Sequence, residues 1–538
     1  MISAPYKLIK IVVPVLLLVQ AMVSCKKEKE GSNELVRMFM PGDISVTSGD
    51  TIATLSWKAS LYTTGQDLSY TLEMSRDSLF QSAAEFSKVT NSTQVTVTDR
   101  QLLVKQKYYA RLKANALGNS EESKWLYSSS MIPIKGEQIF LPVLDGELTE
   151  SQVTLRWKVT SGVSKITLTT SSGAKTEVAV DASENAAGKK TITGLTPKTT
   201  YTAAIFIGPA EKGNYTFTTF SDIPTGSNVV MVQTTDNLAS MIATVTSGTT
   251  FVLLQGSKYT TDATIVIPNN VSFTIWGQSG PNRPILAFNG FTLPANAGAI
   301  KFENLDITGY QNANTSGTKR NYIFNQSTAS TTAEINFENC IIRNLVNTPL
   351  RLQGSAAITI GQVVVNKCIV YDIGVSGGAG TYAFINTNVA TGKFNNIYLT
   401  NNTFYNIGYG LILHNLAPSV TVQIDNNTFY NVTGDARYMI DYNAQLVTSS
   451  FTFANNVVGK TLSTAATARA LRSGTAPSLG NNTYKTTDAA FTANPFSNII
   501  DYGKASTDLW TDPANGNFLY KDATFTGRST CGDPRWRY

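Results

Sequence analysis

The chain has 538 residues, of which 42% are hydrophobic and 15% charged, and its formal net charge is +6. A chain of this length is expected to hold three or four domains. Its basic residues form no cluster longer than the one around Lys26 and Lys27, so the sequence offers no surface that could follow a phosphate backbone. Nucleic acid is therefore excluded as a partner.

Residues 1–24 are predicted to be a secretory signal peptide. Lys7 and Lys10 precede an apolar run over residues 11–19, which is too short to span a bilayer, and Ser24 is a small residue at the expected point of cleavage. Residues 25–34 are charged and polar, and they are predicted to form a flexible tether.

Cys25 directly follows Ser24 and resembles the lipidated cysteine of the bacterial lipoprotein lipobox, although Met22 stands where that motif usually has Leu. The resemblance implies a lipid on the Cys25 thiol that anchors the protein in the outer membrane, exposed at the cell surface. The alternative is a plain secreted protein cut near Ser24.

Residues 35–134 and 135–224 each show short alternating strands separated by turns, which is the pattern of a β-sandwich. A Trp on an early strand and a Tyr that opens a late strand resemble the fibronectin type III domain. We expect these rings in the two cores, and we expect both domains to serve as spacers. The residues that carry the resemblance are Trp57, Tyr108, Trp157 and Tyr201.

Residues 225–500 are predicted to form a stack of near-copies of one β unit. The motif Asn-Asn-Thr-Phe-Tyr-Asn occurs at 401–406 and again at 426–431, and looser copies surround it. Self-similarity at this period indicates a solenoid. The residues on which the six units align, here called the anchors, are Asn304, Asn339, Lys367, Asn401, Asn426 and Asn455.

Alternation within each unit is expected to send every second side chain, such as Ile300 and Phe302, into the core. An amphipathic helix, capped at Thr235 or Asp236, is expected to cover the open end of the first coil. The residues after the anchors are expected to stack at a bend as an amide ladder made of Asn402, Asn427, Asn456 and Asn482.

Cys340 and Cys368 fall on the same position of the repeat as the ladder. We expect both to be buried thiols that act as small apolar groups, with a bond between them only if the local geometry permits it. The remaining thiol, Cys531, has no partner on this column.

The units and the ladder together resemble the right-handed parallel β-helix of the pectin-lyase superfamily. The predicted fold is therefore all-β: two fibronectin type III-like sandwiches, the β-helix, and a capping segment over residues 501–538. In that segment, residues 509–518 and 532–536 resemble the closing part of pectin-lyase-like surface lipoproteins, which accompany glycan-uptake systems of Gram-negative glycan foragers.

One outward column is predicted to hold a sugar polymer. Arg343, Tyr371, Tyr405 and Tyr430 share one position of the repeat, and neighbouring coils lie about 4.8 Å apart, so their side chains would form a strip. Phenol rings stack on sugar rings, and an arginine pairs with hydroxyls or carboxylates. The alternative is that the stacked tyrosines stiffen the sheet or lie beneath a loop.

A second column, at the end of the following strand, contains the only histidine of the chain. Stacking would place Asp441 between His414 and Arg472, which could orient the imidazole as a general base or suit a sugar-binding groove. The alternative is a hydrogen-bonded surface or turn histidine. The full column is Asn325, Gln353, Asn386, His414, Asp441 and Arg472.

Glu303 and Glu338 are expected to be neighbours on a third outward column, close to Lys367. Calcium could relieve their repulsion, but screening by Lys301 and solvent is the favoured interpretation, and no metal or other cofactor is predicted.

The prediction for the whole chain is a surface lipoprotein that binds a polysaccharide, pectin-like or uronate-rich, and belongs to a glycan-uptake complex. A polysaccharide lyase is the first alternative, although no catalytic acid trio or lyase signature is present. A structural adhesin or assembly subunit is the second. Conceivable lyase bases are Lys319, Arg320, Arg351, Lys393 and Arg437.

Overall fold

The computed structural model describes residues 37–313, 317–375 and 380–537. The predicted lipidation site, Cys25, lies outside these residues. The chain divides into two compact units, with the boundary after Gln138. Among the described residues, no helix is long and apolar enough to cross a bilayer.

The first unit is an antiparallel sandwich of two sheets. Its described strands are β1 (Ser45–Ser48), β2 (Ile52–Ser56), β3 (Tyr70–Ser75), β4 (Phe86–Thr90), β5 (Gln94–Thr98), β6 (Tyr109–Ala114) and β7 (Leu126–Tyr127). The sheet orders are β1-β2-β5 and β4-β3-β6-β7. Trp57 and Tyr108 are buried as predicted, and Tyr108 Oη accepts a hydrogen bond from the Leu103 amide at 3.1 Å, the contact of a tyrosine corner.

The second unit opens with a sandwich of the same kind. Its elements are β8 (Phe140–Leu141), β9 (Gln152–Trp157), β10 (Val163–Thr170), β11 (Lys175–Ala179), α1 (Ala182–Ala187), β12 (Lys189–Thr193), β13 (Thr200–Ile207) and β14 (Ala210–Thr218). The sheet orders are β12-β9-β8 and β11-β10-β13-β14. Trp157 and Tyr201 are buried, and Tyr201 Oη accepts from the Thr196 amide at 2.9 Å. Both predicted sandwiches are confirmed.

The rest of the second unit is a parallel β-helix. Its described elements are β15 (Val229–Val232), α2 (Leu238–Ala243), β16 (Thr249–Leu253), β17 (Lys258–Thr261), β18 (Ile265–Val266), β19 (Phe273–Gly277), β20 (Ile285–Phe288), β21 (Phe291–Thr292), β22 (Asn296–Glu303), β23 (Asp306–Thr308), β24 (Tyr322–Gln326), β25 (Ser330–Glu338), β26 (Ile341–Leu345), β27 (Thr348–Leu352), β28 (Ile358–Asn366), β29 (Ile369–Ile373), β30 (Ile385–Thr387), β31 (Gly392–Thr400), β32 (Thr403–Ile407), β33 (Ile412–His414), β34 (Ser419–Asp425), β35 (Thr428–Val432), β36 (Tyr438–Asp441), β37 (Val447–Thr452), β38 (Val457–Val458), β39 (Arg469–Arg472), β40 (Tyr484–Lys485) and β41 (Ile500–Asp501).

These strands form three parallel sheets around one apolar core. The first sheet is β15-β16-β19-β22-β25-β28-β31-β34-β37, the second is β17-β20-β23-β26-β29-β32-β35-β38-β40-β41, and the third is β18-β21-β24-β27-β30-β33-β36-β39. The predicted inward residues are buried, and Phe302 stacks on Phe337 with ring centroids 5.0 Å apart. The core is therefore a column of like side chains, as the repeat indicates.

The six anchor residues of the repeat form the bend between the first and second sheets. All have positive φ, between 51° and 60°, which Asn tolerates better than other non-glycine residues. Next to them, Asn402, Asn427 and Asn456 are fully buried, and each Oδ1 accepts the amide of the matching residue one coil earlier at 2.8–2.9 Å. The ladder is confirmed for these three residues. Thr483, rather than the predicted Asn482, occupies the next position, since its hydroxyl reaches the Phe453 carbonyl at 3.1 Å.

Cys340 and Cys368 continue the ladder column and are free, buried thiols, as expected. The Cys340 amide donates to Cys368 Sγ at 3.3 Å. Cys531 is also buried and free.

The two ends of the β-helix are closed by different devices. Helix α2 lies over the first coil, but its N-cap is Asn237, whose side chain accepts from the Ser240 amide at 3.0 Å; the predicted caps Thr235 and Asp236 lie outside it. At the other end, Phe496 stacks on Phe453 with centroids 4.4 Å apart.

The C-terminal segment contacts mainly the flank of the stack, although it was predicted to close its end. It contains α3 (Ser506–Leu509), β42 (Trp510–Asp512) and β43 (Asn517–Tyr520). Its aromatic residues pack on the outer face of the second sheet, and Trp536 Nε1 donates to Thr403 Oγ1 at 2.7 Å. Apolar surface on both partners accounts for this lateral position.

Candidate functional site

The predicted tyrosine column is in register. Arg343, Tyr371, Tyr405 and Tyr430 are paired in turn along the second sheet, and the rings of Tyr371 and Tyr405 stack with centroids 4.8 Å apart and planes 10° apart. The geometric part of the prediction is confirmed.

The column is, however, covered over much of its length. Phe518 contacts Tyr405 and Tyr430 with ring centroids 5.7 and 6.0 Å away, and Tyr430 is only 7% exposed. Gly516 lies so close that a Cβ there would come within 3.0 Å of Tyr405 Oη. The open strip expected for a polymer is therefore closed by the C-terminal segment, an arrangement closer to the packing alternative.

The two ends of the column differ. Arg343 forms a bidentate ion pair with Asp306 at 2.8 and 2.9 Å, so its guanidinium is already occupied. Tyr371 remains half-buried, and burial raises the pKa of its phenol to about 12.

The predicted histidine column is wrong in two coils, by two positions at Gln353 and by one position at His414. His414 pairs with Thr387, and its side chain points into the core with no exposed surface. A shift of one residue sends a side chain to the opposite face of a strand, so Asp441 cannot orient the imidazole. The column observed on the outer face is Asn325, Arg351, Asn386, Leu413, Asp441 and Arg472.

His414 is part of the interior. Its Nε2 accepts the Phe394 amide at 3.3 Å, its Nδ1 lies 3.4 Å from Ser419 Oγ, and the Tyr442 ring stands edge-on to it. Burial lowers the pKa of His414 to about 4. A neutral, enclosed imidazole contributes to packing and has no route to a substrate.

The outer side of the third sheet carries a different cluster, which we name the arginine–tyrosine face. Its members lie on or just before the third-sheet strands of six successive coils. They are Tyr322, Arg351, Tyr382, Tyr409, Arg437, Tyr438, Arg469 and Arg472.

Guanidinium groups and phenol rings interleave along this face. Arg351 Cζ lies 4.2 Å from the ring centroid of Tyr382 and 5.8 Å from that of Tyr322, whose hydroxyl it also contacts at 3.2 Å. These distances are those of cation–π pairs. The three side chains form one group that is partly open to solvent.

The same arrangement recurs further along the stack. Arg437 Cζ lies 4.8 Å from the Tyr409 centroid, while Arg469 and Arg472 lie 5.2 and 4.7 Å from the Tyr438 centroid. Both phenol rings are nearly buried, so their exposed edges border the guanidinium groups.

The face is strongly cationic. Asp441, whose side chain is 4% exposed, pairs with Arg472 at 2.8 and 2.9 Å. Among the residues that the structure describes, no carboxylate lies within salt-bridge distance of Arg351, Arg437 or Arg469. No described carboxylate therefore balances these three charges, although Arg351 Nη1 contacts Tyr322 Oη at 3.2 Å and Arg437 Nη2 donates to the Gly380 carbonyl at 3.2 Å.

A pocket of about 280 Å³ lies at the Tyr322 end of the face and shares this residue with it. Lys319 and Arg320, two of the conceivable bases, line the pocket, and Arg320 pairs with Asp262 at 2.7 Å. Lys393, by contrast, is exposed on the first sheet.

Glu303 and Glu338 are neighbours on β22 and β25, as predicted. Lys301 pairs with Glu334 at 3.7 Å and not with Glu303, while Lys367 pairs with Glu338 at 3.3 Å. In the described parts of the chain, no group of three or more His, Cys, Asp or Glu side chains is arranged to hold a metal ion.

Two tyrosines of this face, Tyr382 and Tyr409, were missed because they precede their strands, in loops of unequal length. A weak signal was present: Tyr382 and Tyr409 each stand three residues before an isoleucine, and Ile385 and Ile412 pair with each other. Aligning the third-sheet strands on these isoleucines would have grouped the rings.

Two family models match parts of the chain, and both describe domains of unknown function: DUF4957 over residues 257–407 and DUF5123 over residues 422–536. The first match runs from the start of β17 to the end of β32, and the second covers the last coils with the C-terminal segment. No curated protein is detectably similar to this chain.

Among solved structures, the chain is similar to the FN1–FN3 domains of chicken CNTN1, with 15% identity, a TM-score of 0.16, and coverage of 35% of this chain and 69% of that one. It is also similar to a two-domain fibronectin type III segment of chicken tenascin, with 16% identity, a TM-score of 0.18, and coverage of 33% and 97%. The description of the sandwiches rests on their own strands and corner tyrosines.

Proposed function

We propose that this protein is a lipid-anchored component of the bacterial cell envelope that binds an acidic polysaccharide, pectin-like or otherwise uronate-rich, as part of a glycan-uptake system. The observation that carries the proposal is the arginine–tyrosine face, where the guanidinium groups of Arg351, Arg437 and Arg469 have no carboxylate partner among the described residues and lie against phenol rings. The pectin-lyase-like relationship inferred from the repeat is part of the same proposal.

The chemistry of the face suits a uronate polymer. Aromatic rings offer apolar contact to sugar rings, and arginine recognises carboxylates through two parallel hydrogen bonds. A neutral glycan would leave the charges of Arg351, Arg437 and Arg469 without counterparts. We therefore expect an acidic glycan to be preferred.

The extent of the face suits a polymer better than a small molecule. Its members occupy the third-sheet strands β24, β27, β30, β33, β36 and β39, which are adjacent in the sheet. At a strand spacing of about 4.8 Å, these strands extend over about 24 Å. Several sugar units could contact the face at once, and the sum of these weak contacts would raise the affinity for a polymer above that for a single sugar.

Affinity electrophoresis of the chain through gels that contain polygalacturonate or neutral galactan tests the proposal. We expect retardation in the acidic gel alone, and we expect it to weaken as salt screens the charges. Equal mobility in every gel would refute polysaccharide binding and favour the adhesin or assembly alternative. Mass spectrometry of the mature N-terminus tests anchoring separately, since a lipid on Cys25 adds mass.

A lyase remains the second candidate, because two conceivable bases, Arg351 and Arg437, lie on this face. The Nε atoms of both are buried without a hydrogen-bond partner among the described residues, next to the phenols of Tyr382 and Tyr409. Incubation with polygalacturonate decides between binding and cleavage. A lyase would produce the ultraviolet absorbance of an unsaturated product, and a binding protein would not.

A further inference from the structure

A groove of about 650 Å³ lies between the second sandwich and the β-helix, away from the arginine–tyrosine face. One wall is residues 215–221, at the end of β14. The other wall is formed by coils of the β-helix, near the bend between the first and second sheets. The walls are tied together, because Arg283 forms an ion pair with Asp145 and hydrogen bonds to Asn304 Oδ1 at 2.9 Å. The groove is thus a fixed feature of the second unit.

The wall that belongs to the sandwich is the edge of a sheet. β14 is the last strand in the order β11-β10-β13-β14. The Thr219 amide donates to the carbonyl of Thr199, the residue before β13, at 3.1 Å. In an antiparallel pair, every second residue of a strand forms backbone hydrogen bonds to the neighbouring strand. The backbone groups of Thr216 and Thr218 consequently point away from β13.

These two residues form a gap in an otherwise paired edge. Before them, the Lys212 carbonyl accepts the Ile139 amide at 2.9 Å, and after them the Phe220 amide donates to the Thr149 carbonyl at 3.1 Å. Between these contacts, the described residues provide no backbone partner for the outward groups of Thr216 and Thr218. Such a row is a template for another strand.

The opposite wall carries one carboxylate that is not in an ion pair. Its cations Arg283, Arg535 and Lys367 pair with Asp145, Asp533 and Glu338, whereas Glu303 has no cationic partner at salt-bridge distance among the described residues. Burial raises the pKa of Glu303, and the nearby Glu338 adds to this effect. A cation from a bound molecule would offset the repulsion between the two carboxylates.

We propose that this groove binds an extended polypeptide segment, which adds a strand to β14 at Thr216 and Thr218 and places a Lys or Arg side chain beside Glu303. An extended backbone supplies the alternating donors and acceptors that the edge lacks, and side-chain contacts with the walls give specificity. The site does not depend on glycan binding. It would let the protein join a protein assembly while the third sheet remains free.

A displayed decapeptide library, selected on the full mature chain, tests the proposal. Thr216→Pro removes one outward amide, at a position where an edge strand tolerates proline. Thr216→Val is the matched control, because it also loses the hydroxyl but keeps the amide. Glu303→Gln tests separately whether a Lys or Arg side chain of the bound peptide pairs with Glu303.

We expect selected peptides to bind the wild type and Thr216→Val alike, and Thr216→Pro at least about tenfold more weakly. Peptides with Lys or Arg should also lose affinity for Glu303→Gln, and their binding should slow hydrogen exchange at the amides of residues 216 and 218. The proposal is overturned if no peptide distinguishes the wild type from Thr216→Pro. If Thr216→Pro does not fold, a different result overturns the proposal. In that case, the peptides leave hydrogen exchange at residues 216 and 218 of the wild type unchanged and bind Glu303→Gln as tightly as the wild type.

Discussion

The second and third sheets of the β-helix both present a column of aromatic and arginine side chains, but only one column is open. On the second sheet, the rings of Tyr405 and Tyr430 are packed under the C-terminal segment, and Arg343 is neutralised by Asp306. On the third sheet, Arg351 and Arg437 lack carboxylate partners among the described residues and lie against the half-buried ring of Tyr382 and the nearly buried ring of Tyr409.

The difference shows that register alone does not define a binding surface. Like residues stack in both columns. On the second sheet an apolar segment covers them and they form a packed interface, whereas on the third sheet no described segment covers them and they form an exposed cationic strip. Whether a column can bind a ligand therefore depends on whether another segment covers it and whether its charges are already paired.

Replacing Trp510 tests the covered side and should have the largest effect. Trp510 is fully buried and its ring contacts those of Tyr430 and Phe518. Trp510→Ala should lower the free energy of unfolding by about 3–5 kcal/mol, because it leaves a cavity between the segment and the sheet. Urea denaturation followed by circular dichroism measures this change.

Tyr127→Ala, at a site that is 54% exposed on the first sandwich, is the control and should change stability by less than about 0.5 kcal/mol. A Trp510→Ala protein as stable as this control would mean that the C-terminal segment does not hold the second sheet closed.

Much of the second sheet could be predicted because its bend uses a repeated motif. The pair of asparagines in Asn-Asn-Thr-Phe-Tyr-Asn supplies a left-handed residue and a ladder amide, so Asn401 and Asn426 fix the alignment of their coils. The segment that covers this sheet could not be placed, since its position depends on packing between residues more than a hundred positions apart, such as Thr403 and Trp536.

The third sheet was harder to predict because its coils contain loops of different length. Counting along the chain placed His414 with Asp441, whereas hydrogen bonding places Leu413 there. That one-residue error exchanged an interior side chain for an exterior one. Asp441 and Arg472 were predicted as neighbours and are confirmed as a pair.

Asn427→Ala should have the next largest effect, at the bend that leads into the second sheet. The Asn427 Oδ1 atom accepts both the backbone amide and the side-chain amide of Asn402 at 2.9 and 3.0 Å. The Asn402 backbone amide would be left buried and unpaired, and its side-chain amide would keep only the Val365 carbonyl as an acceptor, which costs about 2–4 kcal/mol in the free energy of unfolding. Asn481→Ala, at an exposed position, is the matched control. Equal urea midpoints for the two variants would contradict the ladder.

His414 allows a test of the inner side of the third sheet through pH. The folded pKa is about 4 and the ordinary value is 6.5, so in this window the unfolded chain takes up a proton that the folded chain does not. Stability should therefore fall as pH decreases, by about 2 kcal/mol between pH 7 and pH 5 from this residue.

His414→Gln removes that titration, so its stability should depend less steeply on pH over the same range. Urea denaturation of both proteins at pH 7 and pH 5 makes the comparison. Identical pH dependence would mean that His414 is not held neutral in the core.

The position of the glycan site is tested most directly by the affinity of polygalacturonate oligomers for two variants, measured by calorimetry. Arg351→Ala alters the open face, and Tyr371→Ala alters the half-buried end of the covered column. We expect Arg351→Ala to weaken binding about tenfold, whereas Tyr371→Ala should stay within about twofold of the wild type. Loss of affinity in Tyr371→Ala with full binding by Arg351→Ala would contradict the assignment of the site to the third sheet.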